Sequence, residues 1–413
     1  MNSRERVITA LNHNEPDRIP IDCGGMRSAG ISAVAYSNLK KYLGINDGSV
    51  KIYDVLQQLA YPESFMFEKF KLDVIDLGQA FNKNDDDWFD WKLKEGTSAK
   101  MPKFFKHKFK PNGDVETFWK SGIALGKMPK SSYYFDQIYW PLGDLEEIPD
   151  PMPDDVGEMM WDIPTPPWDL DLTKENLEYI GAKAKELYET TDYAIMTPVG
   201  CNLLEIGMMW RGMENFLCDL VADPLGAERL FDRLTEMHIA KLEKILPYIG
   251  PYVQVLHLND DYGSQNGPII SPKVYRELIK PRQRKICEFI KSKCDCKILL
   301  HCCGGIYELI PDLIEAGIEI LNPVQTSCRN MDPLRLKREF GKDITFWGGG
   351  CDTRDILPNG TPDEIERHVR ERIEIFAPDG GFVFNPIHNI MANIPPENII
   401  RMYETAIKYG RYK

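Results

Sequence analysis

The sequence predicts an α/β protein built as a (β/α)8, TIM-like barrel with an inserted segment after the second strand. Strand-like apolar runs centred near residues 20, 74, 196, 255, 299, 320, 346 and 383 make a set of eight, and each leads into helix-periodic sequence. Polar or reactive residues gather just past these runs, at the strand ends where such barrels carry their chemistry. The alternation breaks over about residues 80–172, which reads as an insertion or lid within a single barrel spanning 1–413.

Taken in order, residues 3–13 predict a helix, and Arg18–Cys23 a short first strand followed by the loop Gly24-Gly25-Met26-Arg27. Helices are expected over about 33–43 and 52–69, the second from the spacing of Val55, Leu56, Leu59 and Phe65. The second strand is Leu72–Leu77. The insertion opens on Asp85-Asp86-Asp87-Trp88, continues through the alternating aromatic run Phe104–Lys110, and ends in a segment rich in Pro, Asp and Trp over 149–168. Its aromatics suit either a cover over a flat ligand or a small cluster that holds the insertion down, and the second is the expectation because apolar groups mostly pack.

Helix 173–189 and strand Ala194–Val199 resume the pattern. Helices through 202–246, strand Val253–Leu258, helix 272–293 and strand Lys297–Cys303 follow. Three more units place strands at Ile318–Val324, Ile344–Gly350 and Gly381–Pro386, with helices at 306–316, 332–340, 362–376 and from Pro396.

The composition is that of a globular chain: 413 residues, 43% hydrophobic and 27% charged, enough for a large core. A net charge of −13 without a Lys/Arg block argues against a nucleic-acid partner. The start, Met1-Asn2-Ser3-Arg4-Glu5-Arg6, lacks the apolar centre of a signal peptide, and no stretch has the length of a membrane span. The expectation is a soluble cytoplasmic protein whose ten cysteines are thiols or metal ligands.

The sharpest chemical signal is Lys297-Ile298-Leu299-Leu300-His301-Cys302-Cys303-Gly304-Gly305. On an extended backbone His301 and Cys303, two apart, project to one side. With a third His or Cys from another strand they match the three-ligand, one-vacancy pattern of catalytic zinc. Cys351, after three glycines, is one such candidate. Cys294 and Cys296 precede the same strand and belong to its far end, about 20 Å away. Other strand ends offer Cys23 and Arg27, Asp73 or Asp76, Cys201 and Asn202, Asp260 and Asp261, Asn322 and Gln325, and Asn385 and His388. Gly348-Gly349-Gly350 lacks dinucleotide spacing, and no phosphate-loop motif occurs.

Several of these stretches resemble the uroporphyrinogen decarboxylase superfamily, which includes corrinoid-linked methyltransferases of the methylcobalamin:coenzyme M type. They are Arg4-Glu5-Arg6-Val7 with Pro16-Asp17-Arg18-Ile19-Pro20, the loop Met26–Gly30, Asp73, Ile270-Ser271-Pro272, His301-Cys302-Cys303-Gly304 and Pro395-Pro396-Glu397-Asn398-Ile399. The resemblance implies a (β/α)8 barrel. It also implies two alternative chemistries.

For the methyltransferase branch, it implies zinc held by His301, Cys303 and His388, with a branch glutamate replaced by Gln325. His257 and Asp261 would be catalytic, and Glu205, Asp260, Asn322 and Gln325 would bind substrate, while Arg27 as a substrate-binding residue and Asp73 as a catalytic one come, with His388, from the decarboxylase branch. The corrinoid (cobalamin) would arrive on a small partner protein, since Asp-x-His-x-x-Gly is absent, and the acceptor would be a small thiol or similar molecule. For the decarboxylase branch, Arg27 and Asp73 resemble the groups that grip a tetrapyrrole, but the second arginine position of that loop is Ile31. A further alternative is an inactive corrinoid- or metal-binding protein.

Overall fold

A computed structural model describes residues 1–412. Seven parallel strands form one curled sheet: β1 (Val74–Asp76), β2 (Ala194–Gly200), β3 (Val255–Asn259), β4 (Lys297–His301), β5 (Ile320–Asn322), β6 (Thr345–Trp347) and β7 (Phe382–Val383). The eighth position is the segment 19–22, too irregular to count as a strand yet bonded on both sides. Phe384 N donates to the Pro20 carbonyl (2.8 Å) and Asp22 N to the Phe384 carbonyl (2.9 Å), while Asp73 N donates to the Ile21 carbonyl (2.8 Å). The segment therefore joins β7 to β1 and closes the barrel, because a parallel sheet leaves no edge only when its first and last strands are bridged.

Inside, Val74, Met196, Val255, Leu299, Ile320, Trp347 and Val383 fill the barrel as one buried layer. Helix α1 (Ser3–Leu11) plugs the amino-terminal end with Val7 and Leu11, and Asn2 caps it through a bond from Glu5 N. Because side chains alternate along a strand, the inward positions one layer higher are Asp76, His257, His301 and Asn322. The apolar layer thus supports a polar layer at the mouth.

Asp73 belongs to the opposite end and does not join the mouth. It precedes β1, is fully buried, and receives Arg6 (2.7 Å), Arg18 (2.7 Å), Ser3 Oγ (2.8 Å) and Ile21 N (2.9 Å). It ties α1 and the closing segment to β1. The strand run beginning at Leu72 had placed it one layer too high, and the carboxylate at the carboxyl end of β1 is Asp76.

The helix expected over 52–69 is also corrected. Ile52–Asp54 and Leu59–Ala60 are short strands, and the helix is confined to Ser64–Phe70. Asp54 Oδ1 accepts Leu56 N and Gln57 N in a turn, Gln58 has φ +55°, and Pro62 follows; these local bonds outcompete the apolar spacing. Most other predicted helices lie within a few residues of their expected bounds, among them Pro362–Phe376 and Pro396–Tyr409.

Between β1 and helix Lys174–Thr190 lie a hairpin (Trp88–Lys92 with Ser98–Pro102) and a four-stranded antiparallel sheet running from Lys106 to Gln137. Phe105 and His107 stack on each other, with Trp91 edge-on to both, so these aromatics mainly pack among themselves. The unit is fastened to the barrel by Lys100 N to the Val50 carbonyl (2.8 Å), Phe135 N to the Leu56 carbonyl (3.0 Å) and Arg211 to the carbonyls of Leu142 and Leu145. Among the described residues no helix is long and apolar enough to cross a membrane.

Removing the Asp73 carboxylate leaves Arg6 with Asp17 and Arg18 with the Ile19 and Lys71 carbonyls, and these two side chains are 8% and 16% exposed. Asp73→Ala is expected to cost about 3–5 kcal/mol of folding stability, read as a lowered midpoint in urea. A loss below about 1 kcal/mol would show that the cluster does not hold the closure.

Candidate metal centre at the barrel mouth

His301 ends β4, and its register partner on β5 is Asn322. Asn322 Nδ2 donates to the Trp347 carbonyl (2.8 Å), which turns its Oδ1 toward His301 Nδ1 at 2.6 Å. Nδ1 then carries the proton, and the Nε2 lone pair faces the mouth. Cys303 Sγ lies 3.2 Å from that Nε2. His388, on the loop after β7, completes the group: the donor atoms of His301, Cys303 and His388 all lie within 4.8 Å of one another. The rings of His301 and His388 are 5.5 Å apart at 69°.

Bonds of about 2.0–2.3 Å to a tetrahedral ion put ligand atoms about 3.3–3.8 Å apart. The His301–Cys303 pair already has that spacing, and His388 needs an approach of about 1 Å. Burial, with His301 alongside, pushes the His388 imidazole down to about 3, so the ring is neutral and one of its nitrogens has a lone pair free for a metal. Cys351 is buried and has its sulfur near the Asp352 carbonyl; it takes no part in the group.

The loop carrying Cys303 is held from both sides. Asp261 Oδ1 accepts Cys303 N (2.6 Å) and Gln325 Oε1 accepts Gly304 N (2.9 Å). Gly304 has φ +93°, and a Cβ there would sit 2.3 Å from the Gly263 backbone, so the tight approach of the two loops requires glycine. Asp260 is an anchor with its oxygens occupied. It accepts Leu203 N, Leu204 N and Glu205 N, which opens helix Leu204–Arg211, and also the Tyr262 hydroxyl. This anchoring sets Glu205 near the mouth, where Asn202 Nδ2 donates to it (2.6 Å).

The electrostatics are those of a pocket short of positive charge. Burial, with the charges of Asp261 and Asp260, raises Glu205 well above the carboxylate range. Burial, with Asp261 and Glu205, likewise raises the Cys303 thiol. A divalent cation would reverse both penalties. This donor chemistry, two imidazoles and a thiol beside carboxylates, fits zinc.

His257 is fully buried on β3 with both ring nitrogens unpartnered, and its ring is 6.1 Å from that of His301. Burial, then His301 and Arg27, holds it neutral. Arg27 comes from the loop after the closing segment; its Nε donates to Asp54 (2.8 Å) and its guanidinium lies 4.8 Å from the ring of Trp161. Its carbonyl accepts Gln57 and Asn389, the neighbour of His388. Ile31, at the second arginine position, is buried and bridged to Ile390.

The structure thus gathers His301, Cys303, His388, Asn322, Gln325, Asp261, Glu205 and His257 at one mouth, with Arg27 at its rim. Asp54, Asn389 and Trp161 were missed. Asp54 lay inside the stretch read as helix, Asn389 had only its adjacency to His388 as a signal, and Trp161 sat in a segment noted for composition alone.

The family model for uroporphyrinogen decarboxylase matches residues 169–409. A methylated-thiol–coenzyme M methyltransferase of Methanosarcina mazei is 28% identical over 165 residues, covering 39% of this chain and 40% of that protein. A uroporphyrinogen decarboxylase of Synechocystis sp. is 26% identical over 176 residues, 40% of this chain and 46% of its own. The chain therefore aligns with less than half the length of either curated relative. A solved methyltransferase structure from Methanosarcina mazei superposes with a TM-score of 0.59 at 16% identity, covering 99% of both chains, which shows a shared fold.

Asp260→Ala unties three backbone N–H groups and a tyrosine hydroxyl at once. It is expected to cost about 3 kcal/mol or more in urea unfolding. A near-neutral result would mean that the opening turn of Leu204–Arg211 is held by something else.

Proposed function

The chain belongs to the uroporphyrinogen decarboxylase family, and from that premise we propose that it is a zinc-dependent enzyme of a corrinoid pathway. It moves a methyl group between a cobalamin, carried on a small partner protein, and a thiol or similar small acceptor. The observation that carries this reading is the convergence of His301, Cys303 and His388 donor atoms within 4.8 Å at the barrel mouth.

In this reading His301 through Nε2, Cys303 through Sγ and His388 would hold the ion, with room for the acceptor to join them. Zinc, when bound, supplies a Lewis acid that lowers the pKa of a thiol that joins it. Asn322 keeps His301 in the tautomer that presents Nε2. Asp261 and Gln325 fix the backbone on either side of Cys303 so that its sulfur stays on the mouth side. Glu205, ionised once a cation offsets its burial, would take up the proton that the thiol releases. His257, with both nitrogens free of protein partners, orients a polar group of the substrate in the dry interior. Arg27 and Trp161 shape the rim.

A tetrapyrrole-decarboxylating lyase draws less support. Arg27, the cation that matches its clamp, is already paired with Asp54. Ile31 supplies no charge for a polycarboxylate, and unpaired buried carboxylates are costly.

Purified full-length protein is expected to carry about one zinc per chain, as a single three-ligand site requires, by elemental analysis. His301→Ala and Cys303→Ser should lose it, together with thiol-dependent demethylation of methylcobalamin. Asn322→Ala should weaken metal binding about 10–100-fold, as loss of a supporting hydrogen bond does. Metal-free protein that decarboxylates uroporphyrinogen would overturn the reading.

A further inference from the structure

Beside the mouth, between barrel and insertion, lies a second cavity of about 210 Å³ that the proposed reaction does not use. Its walls are aromatic and apolar. Trp91 and Phe109 stack at 5.5 Å and 19°, and Tyr133 and Tyr134 close the outer side. Phe109 is 62% exposed and Tyr133 40%, although both rings face a concave apolar surface. The volume is below the roughly 300–1,000 Å³ of clefts for larger ligands, which limits the occupant to about one substituted ring.

The charge of this cavity runs against that of the chain. The protein carries −13 overall, yet among the described residues no carboxylate lines the cavity, whereas Lys92 and Lys94 do. Lys94 Nζ is steadied by the carbonyls of Pro129 (2.7 Å) and Lys130 (2.9 Å) and lies 5.6 Å from the ring of Tyr133. Helix Ala33–Tyr42 starts at the wall, with Ser32, Ala33 and Val34 lining it, and a helix start favours negative charge.

A third observation points to a ligand. Gln58 is only 6% exposed and is held at φ +55°; its Nε2 donates to the Val55 carbonyl (2.5 Å), and its Oε1 has no donor among the described residues. Gln58 is on the cavity wall, and its Oε1 is left open to accept a hydrogen bond from an occupant.

We propose that this cavity binds a small single-ring aromatic carboxylate. The ring packs between Trp91, Phe109 and Tyr133, the carboxylate faces Lys94 and the helix start, and Gln58 serves a hydrogen-bond donor on the ring. The site shares Gln57 with the barrel mouth: Gln57 Oε1 accepts Asn389 Nδ2 (3.0 Å), and Gln57 Nε2 donates to Asp54 (2.9 Å). The proposal is independent of what the mouth catalyses.

The test uses the full-length protein with 4-fluorobenzoate as probe, followed by fluorine NMR. Saturable binding is expected, with 4-fluorobenzyl alcohol, which has the same ring without the charge, about tenfold weaker. Lys94→Met should weaken the benzoate about tenfold, and Ala392→Phe, which fills the cavity, should abolish binding while the thermal midpoint is kept. Absence of saturable binding at millimolar probe overturns the proposal. So does undiminished binding to folded Ala392→Phe, or binding lost in His301→Ala but kept in Ala392→Phe, which would put the ring in the barrel mouth. If Ala392→Phe fails to fold, equal affinity of Lys94→Met and the parent protein, or of the two probes, is sufficient to reject it.

Discussion

Closure of the sheet by residues 20–22 is the constraint on which everything else rests. β4 and β7 are three strands apart, which on a flat sheet would separate their ends by about 14 Å at 4.7–4.9 Å per strand. In the closed barrel the rings of His301 and His388 are 5.5 Å apart. Curvature therefore makes the centre, and curvature exists because Pro20, Ile21 and Asp22 bond to Phe384 on one side and Asp73 on the other. The segment has no regular strand geometry of its own. Its place is fixed by the Asp73 cluster, which holds Arg6, Arg18 and Ile21 N together beneath it. A buried ion-pair cluster at the bottom of the molecule is in this way a condition for the chemistry at the top.

At the mouth, three successive strands cooperate through their loops. Asp261 after β3 and Gln325 after β5 bond the two backbone N–H groups around Cys303 and Gly304 after β4. Glycines at 263 and 304 let those loops touch. Such mutual support restricts the positions of Cys303 Sγ and His301 Nε2 before any ligand arrives, and this preorganisation lowers the cost of binding. The unfavourable burial of Glu205 and Cys303 suits the proposed centre: carboxylates and a thiol crowded together repel one another unless a cation sits among them.

The barrel and the pair His301–Cys303 were legible in the sequence because strand ends announce themselves by an apolar run breaking into reactive residues. His388 was legible as a strand-end residue, but its role as the third ligand came from resemblance, since nothing in local spacing relates the loop after β7 to the end of β4. Asp73 and Asp76 show where such reading fails. Both lie on one short apolar run, three residues apart, and only tertiary pairing reveals that the first faces Arg6 and Arg18 below while the second reaches the mouth. The 52–69 region failed for a different reason: its apolar spacing is helical, but Asp54 forms a turn with the next backbone N–H groups, and propensity yields to that hydrogen bonding. The insertion was recognised as a break in pattern, while the cavity it forms against Gln58 and Met391 depends on which faces meet.

The central claim is that one sulfur and two imidazoles converge on a single ion. X-ray absorption at the zinc edge of the purified protein tests it most directly. The account predicts one sulfur scatterer at about 2.3 Å and two imidazole nitrogens at about 2.0–2.1 Å, with one lighter atom completing the shell. A shell of oxygen and nitrogen only, or one with two or more sulfurs, would contradict it.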